Sequence, residues 1–83
     1  MSLLEKLNEF SLMEANWNEN GADPFSAELI LKCKQLSVLL ENCGFDVFPT
    51  GRNSIQFEKE VDGEYIEIEV FNDRIETYHE SSK

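Results

Sequence analysis

Basic residues are scarce in this sequence. Only 7 Lys and Arg side chains stand against 17 Asp and Glu, which gives a formal net charge of -10 at pH 7. Because nucleic acid and anionic membranes attract proteins through Lys and Arg, this deficit argues against direct binding to either. We therefore expect partners that are basic proteins or proteins with a basic patch.

Long apolar runs are missing as well. No stretch approaches the roughly 20 apolar residues that cross a bilayer, and the N-terminus lacks the basic and apolar segments of a secretory signal. We therefore expect a cytoplasmic protein. Chains of about this length bury only about 60% of the surface that the unfolded chain exposes, so dimerisation is a natural way to bury more.

Cysteine and histidine, which build disulfides, metal sites and many active sites, are rare. Cys33 and Cys43 fall in one predicted helix, about 15 Å apart along its axis, so we expect two buried free thiols and no disulfide. No Ser or Cys stands with His79 in a pattern that indicates a catalytic triad. Residues 16–21 match the start of an EF-hand loop, but its acidic first and twelfth ligands are absent. We predict no enzyme, no metal and no cofactor.

The N-terminal part predicts a helix followed by a loop. Ser2 and Glu5 have the spacing of a capping box, and apolar residues recur at helical spacing behind them, which predicts a helix over 3–14. Residues 16–24 are rich in turn formers and predict a loop. Trp17 continues the apolar stripe of the first helix, so we expect it to be buried against the sheet or the second helix.

A second helix and four strands are predicted to follow. Ser26 is a candidate N-cap, and the broad apolar stripe behind it predicts a helix over 27–42, with Gly44 as the left-handed residue that ends it. After Gly44 the apolar period changes to two, which is typical of strands. The predicted strands cover 45–48, 54–61, 64–71 and 74–79.

These elements predict an α+β fold, with two N-terminal helices packed on one face of a four-stranded antiparallel meander (ααββββ). We expect a single domain over 1–79 and a frayed tail at 80–83. Two tight turns, at 62–63 and 72–73, fix the register of the last three strands. On the face toward the helices, this register pairs Ile55 with Val70, Phe57 with Ile68, and Val70 with Ile75.

The opposite face of the predicted sheet gathers carboxylates and aromatic rings. Glu58 falls opposite Glu67 and Glu69 opposite Glu76, and like charges across a ladder destabilise a sheet within a scale of about 0.2–1 kcal/mol. These residues have two interpretations. The face is polar only because it is exposed to solvent, or it is a surface that binds another protein. The candidate binding residues are Glu58, Glu60, Glu67, Glu69 and Glu76, with Tyr65 and Tyr78 as aromatic anchors.

Three segments carry a resemblance: 17–24 (WNENGADP), 49–58 (PTGRNSIQFE) and 65–70 (YIEIEV). They resemble a group of small bacterial and phage-borne proteins with a Trp-x-Gly-x-Gly-Ala-x-x-Pro loop and a Pro-Thr-turn-Ile-Gln-x-Glu-Trp hairpin. Glu19 and Lys59 stand where that group has glycine and tryptophan. The resemblance implies a mobile-element or prokaryotic-conflict setting and supplies no catalytic residues.

Two hypotheses follow for the function. The first is a non-enzymatic acidic protein that inhibits a basic nucleic-acid-handling partner such as a nuclease, as an antitoxin or an anti-CRISPR-like phage protein does. The alternative is a homodimeric structural or adaptor module that associates through an edge strand or its first helix. In that alternative, the acidic face serves only for solvation.

Overall fold

The computed structural model describes residues 2–14, 17, 21 and 23–81, so most of the EF-hand-like stretch lies outside it. Its elements are two helices, α1 (Leu3–Phe10) and α2 (Ala27–Leu40), followed by four strands, β1 (Asp46–Pro49), β2 (Ser54–Val61), β3 (Glu64–Phe71) and β4 (Ile75–Ser81). The strands form one antiparallel sheet in the order β1-β2-β3-β4. The predicted α+β fold is confirmed.

Both helices begin at the predicted serine caps. Ser2 Oγ accepts a hydrogen bond from the Glu5 amide (3.1 Å), and the Glu5 carboxylate accepts one from the Ser2 amide (3.2 Å), which completes the capping box. Ser26 Oγ likewise accepts from the Leu29 amide at 3.1 Å. These contacts satisfy amides that have no partner within the helix.

Both helices are shorter than predicted. α1 ends at Phe10 rather than at residue 14, and α2 ends at Leu40 rather than at residue 42. Beyond α2, Asn42 (φ 68°) and Gly44 (φ 86°) turn the chain through left-handed conformations. Cys43 therefore leaves the apolar stripe and is exposed, so its predicted burial was wrong, whereas Cys33 is buried in the core as predicted.

The predicted register of the sheet is confirmed. Asp62 (φ 52°) and Gly63 (φ 79°) both adopt left-handed conformations, as a two-residue hairpin turn requires. The predicted pairs across β2, β3 and β4 all occur, including Glu58 with Glu67 and Glu69 with Glu76. The carboxylates and tyrosines consequently share the sheet face that is turned away from the helices.

The core lies between the two helices and the inner face of β1, β2 and β3. α1 contacts β1 and α2, and α2 contacts β3. The buried side chains at the centre come from both helices and from these strands: Leu7, Leu29, Cys33, Val47, Ile55, Phe57 and Val70. The half-buried Trp17 packs on Phe25, just before α2, with a ring separation of 5.6 Å.

β4 departs from the expected packing. Ile75 has the predicted register partner Val70, yet its side chain is 56% exposed, because no helix in the described part of the chain covers β4. The strand also continues to Ser81, beyond the predicted end at residue 79. Glu80, which we had assigned to a frayed tail, therefore lies in the sheet opposite Tyr65.

Candidate protein-binding face

We call the sheet face opposite the helices the acidic face. The register places all of the predicted binding residues on it: Glu58, Glu60, Glu67, Glu69, Glu76, Tyr65 and Tyr78. The sequence left open whether this face is only solvated or binds a protein. The side-chain contacts divide it into two parts of different electrostatic character.

The first part of the acidic face contains Glu69 and Glu76. Arg52, in the turn between β1 and β2, neutralises Glu69. Its guanidinium donates two hydrogen bonds to Glu69 Oε2, from Nε at 3.2 Å and from Nη2 at 2.9 Å. Ser54 Oγ donates a third at 2.5 Å, and the Arg52 amide donates to Thr50 Oγ1 at 3.1 Å, which holds the turn. Glu69 is only 8% exposed, so it is a buried and paired residue rather than a solvated one.

Arg74, in the turn between β3 and β4, neutralises Glu76, which lies opposite Glu69 on the adjacent strand. Its Nε donates to Glu76 Oε2 at 2.7 Å, and its Nη1 donates to Asp73 Oδ1 at 3.0 Å. The hydrogen bond to Glu76 raises the pKa of the Arg74 guanidinium above its usual value. The same guanidinium stacks on the Phe71 ring, 3.9 Å from its centroid. Arg52 and Arg74 therefore neutralise this end of the acidic face.

The second part, which we call the open carboxylate patch, consists of Glu58, Glu60, Glu67, Glu80, Tyr65 and Tyr78. None of its four carboxylates forms an ion pair with a cation among the described residues. Glu80 was missed by sequence reasoning because we ended β4 too early. The alternation of residues 75–81 carries the missing signal, since Glu76, Tyr78 and Glu80 follow a period of two.

The two tyrosines hold this patch together. The single proton of Tyr65 Oη is shared between Glu67 Oε2 at 2.7 Å and Glu58 Oε2 at 2.9 Å, so one hydroxyl bridges a pair of like charges. Tyr78 Oη donates to Glu80 Oε2 at 3.1 Å, and its ring lies 6.3 Å from that of Tyr65. The aromatic rings are therefore fixed in place among the carboxylates.

These hydrogen bonds change how the tyrosines titrate. The bonds to Glu67 and Glu58, with a smaller effect of burial, raise the pKa of the Tyr65 hydroxyl far above its ordinary value. The bond to Glu80 raises the pKa of Tyr78 in the same direction. Both hydroxyls therefore remain protonated donors at neutral pH, and the negative charge of the patch resides on its carboxylates.

The patch contains an open concavity of about 420 Å³ that is lined by Glu60, Gly63, Tyr65 and Glu80. Glu60 and Glu80 flank Tyr65 from the two neighbouring strands, and at about 4.8 Å per strand they lie about 9.6 Å apart. A cationic side chain that entered this concavity would meet a carboxylate on either side and an aromatic ring between them. Ammonium and guanidinium groups bind well in such surroundings.

Comparison of the chain with protein-family models, with curated proteins and with solved structures found no match. Within residues 2–14, 17, 21 and 23–81, no group of three or more His, Cys, Asp or Glu side chains is placed to hold a metal ion. In the same residues, no helix has the length and apolar character needed to cross a bilayer. The geometry of the acidic face is thus the main guide to function.

Proposed function

We propose that this protein is a non-enzymatic, acidic binding protein that inhibits a basic, nucleic-acid-handling partner in the cytoplasm. An antitoxin and an anti-CRISPR-like phage protein are two examples of this class. The observation that carries the proposal is the open carboxylate patch, whose four carboxylates have no cationic partner among the described residues. Its contact residues are Glu58, Glu60, Glu67 and Glu80, with Tyr65 and Tyr78 as anchors.

The contrast between the two parts of the acidic face supports a role for the patch beyond solvation. Glu69 and Glu76 form a like-charged cross-strand pair, and Arg52 and Arg74 neutralise it within the chain. Like-charged pairs cost about 0.2–1 kcal/mol, and a domain of this size has only about 5 kcal/mol of stability in total. A second like-charged pair left without a cation is consistent with selection for a partner that supplies one.

The spacing of the patch suits a surface that normally holds nucleic acid. Carboxylates on one strand are about 6.8 Å apart, and those on adjacent strands are about 4.8 Å apart. A basic channel that binds phosphates would meet a regular array of negative charges at comparable separations. Such complementarity accelerates association and favours basic partners, while the tyrosines add the rigid apolar contacts that are typical of binding hot spots.

The accessibility of the patch favours binding over catalysis. Glu60 and Glu80 line an open concavity, where solvent screens both groups, and acid-base catalysis usually needs burial to separate the pKa values of two carboxylates. The buried carboxylate of the acidic face, Glu69, is already bonded to Arg52 and Ser54. These observations support a protein that binds through its surface charge.

A homodimeric adaptor module is the second candidate function. The specific observation that favours it is the solvent-exposed strand β4, together with large exposed apolar side chains on α2. The first candidate depends on the open carboxylate patch, and the second depends on the outer edge of β4, the strand that also carries Tyr78 and Glu80 of that patch. The same chain can also combine both properties.

An inhibition assay tests the first candidate. Purified chain is added to a panel of basic nucleic-acid-cleaving proteins, namely CRISPR effector nucleases and toxin ribonucleases, and cleavage of their substrates is measured. We expect the triple variant Glu60→Gln, Glu67→Gln, Glu80→Gln to lose inhibition of the sensitive nuclease. The charge-matched control Glu9→Gln, Glu14→Gln, Glu28→Gln changes the net charge equally on the helical side and should inhibit normally. Equal inhibition by both variants, or no inhibition of any nuclease, contradicts the proposal.

A further inference from the structure

The outer edge of β4 has no partner strand among the described residues. The Phe71 amide donates to the Arg74 carbonyl at 2.8 Å, so the backbone groups of Arg74 face β3. Because an antiparallel ladder alternates, the N–H and C=O groups of Ile75, Thr77 and His79 then face away from β3. These residues form an exposed hydrogen-bonding edge, which natural sheets usually cover or block.

An exposed apolar side of α2 accompanies this edge. Lys32 donates from Nζ to the carbonyl of Asn72, so this side of α2 lies next to the turn between β3 and β4. Leu39 lies two helical turns beyond Lys32 on the same side and is 73% exposed. Ile75, on the β4 face below, is 56% exposed. An open strand edge and exposed apolar side chains on the helical side of the sheet are features of an unfilled interface.

We propose that a second copy of this chain docks here, with its β4 paired antiparallel to β4 about a two-fold axis at Thr77, to form a continuous eight-stranded sheet. In the new ladder, a residue whose N–H and C=O groups face away from β3 can pair only with a residue of the second copy that has the same orientation. Thr77 therefore lies opposite Thr77 of the second copy, and Ile75 lies opposite its His79. The two α2 helices would then lie on the same side of the joined sheet, over β3 strands about 14.4 Å apart.

Charge complementarity selects this register over its neighbours. With the axis at Thr77, Arg74 lies opposite Glu80 of the second copy, and Glu76 lies opposite Tyr78. An axis at Glu76 would place two Glu76 side chains together, and an axis at Tyr78 would place Glu76 opposite Glu80, so both carry like-charged pairs. An axis at His79 would leave the first part of β4 unpaired.

The proposed dimer rests on the second candidate function, the homodimeric module, and predicts a response to salt opposite to that of the first candidate. Two copies of charge -10 repel each other, so higher ionic strength should strengthen self-association by screening that repulsion. Binding of the open carboxylate patch to a basic partner should weaken under the same conditions. The dimer also joins the two acidic faces side by side, since Glu76 and Tyr78 alternate across the new ladder.

Disulfide trapping tests the register directly. In a Cys43→Ser background, Thr77→Cys should form a disulfide-linked dimer under mild oxidation. Residues opposite each other in a hydrogen-bonded pair have Cα atoms about 5.5 Å apart, which a disulfide can span. The control Glu80→Cys in the same background should not cross-link, because its two copies would lie about 20 Å apart. Equal cross-linking of the two variants, or none of Thr77→Cys, would overturn the proposed register.

Sedimentation equilibrium provides a second test that needs no cross-link. Arg74→Glu and Glu80→Arg should each weaken the wild-type dimer about tenfold, because each creates two like-charged pairs, and the double exchange should restore it. Thr77→Pro should abolish dimerisation with the monomer fold retained in circular dichroism, since the lost N–H faces away from β3. A chain that stays monomeric at every protein concentration and ionic strength would overturn the dimer and leave the inhibition assay unaffected.

Discussion

Arg52 donates two hydrogen bonds to one carboxylate oxygen of Glu69, which lies 17 residues further along the chain. Together with the pair Arg74–Glu76, this pair places the cations that neutralise the acidic face, among the described residues, at one end of that face. Glu58, Glu60, Glu67 and Glu80 at the other end have no such partner among the described residues. The negative charge of the face is therefore localised on a defined patch.

The two halves of the acidic face should respond differently to the loss of a carboxylate. Glu69→Ala should lower the free energy of unfolding by about 2 kcal/mol, because it leaves the buried Ser54 hydroxyl without one of its partners and removes a paired charge. The matched change Glu76→Ala, at an exposed position directly across the ladder, should change it by no more than about 0.5 kcal/mol. Urea denaturation of both variants measures the difference, and equal losses would show that the burial of Glu69 does not matter.

Tyr65 should titrate well above the ordinary tyrosine pKa of about 10. Its hydroxyl donates to Glu67 and Glu58, and the folded state therefore holds the proton more tightly than the unfolded state does. The resulting contribution to stability is complete below about pH 10 and is lost as the pH rises further through the raised pKa.

Ultraviolet absorbance of tyrosinate measures this pKa in a Tyr78→Phe background, with circular dichroism reporting the fold at each pH. Glu58→Gln, Glu67→Gln in that background should lower the pKa of Tyr65 toward its ordinary value. An ordinary pKa for Tyr65 while the chain is still folded would show that the hydroxyl does not bridge the two carboxylates.

The two cysteines should differ sharply in reactivity. Burial raises the pKa of the Cys33 thiol to about 12, whereas Cys43 is exposed after the end of α2. Because the thiolate is the reactive species and needs access, a thiol reagent should modify Cys43 in the native protein and Cys33 only after denaturation. Mass spectrometry counts the modified thiols. Rapid modification of both in the native state would contradict the packing of α2.

The sheet was predictable from the sequence because its register depends on local signals. Asp62 and Gly63 supply the left-handed residues that a two-residue turn demands, and the alternation on either side then assigns each residue to a face. The serine caps of α1 and α2 were predictable for the same reason, because Ser2 and Ser26 accept hydrogen bonds from backbone amides only three residues away. Features that rest on contacts close in sequence were therefore predicted residue by residue.

Features that depend on contacts distant in sequence were not predictable. The period of two places Glu69 on the outer face, but it carries no information about Arg52 reaching across the sheet to bury it. It likewise cannot show that the helices cover β1 to β3 and leave Ile75 exposed on β4. The extent of α2 was overestimated because Cys43 fits the apolar pattern of a helix that ends before it.

The measurement that tests the central claim most directly is mapping of amide chemical shifts in the labelled chain when the inhibited nuclease is added. Our account predicts that the perturbed amides cluster at 58–60, 65–67 and 78–80, around the open carboxylate patch, and that rising ionic strength weakens the effect. Perturbations confined to α1 and α2, with the patch unchanged, would contradict the assignment of this patch as the binding surface.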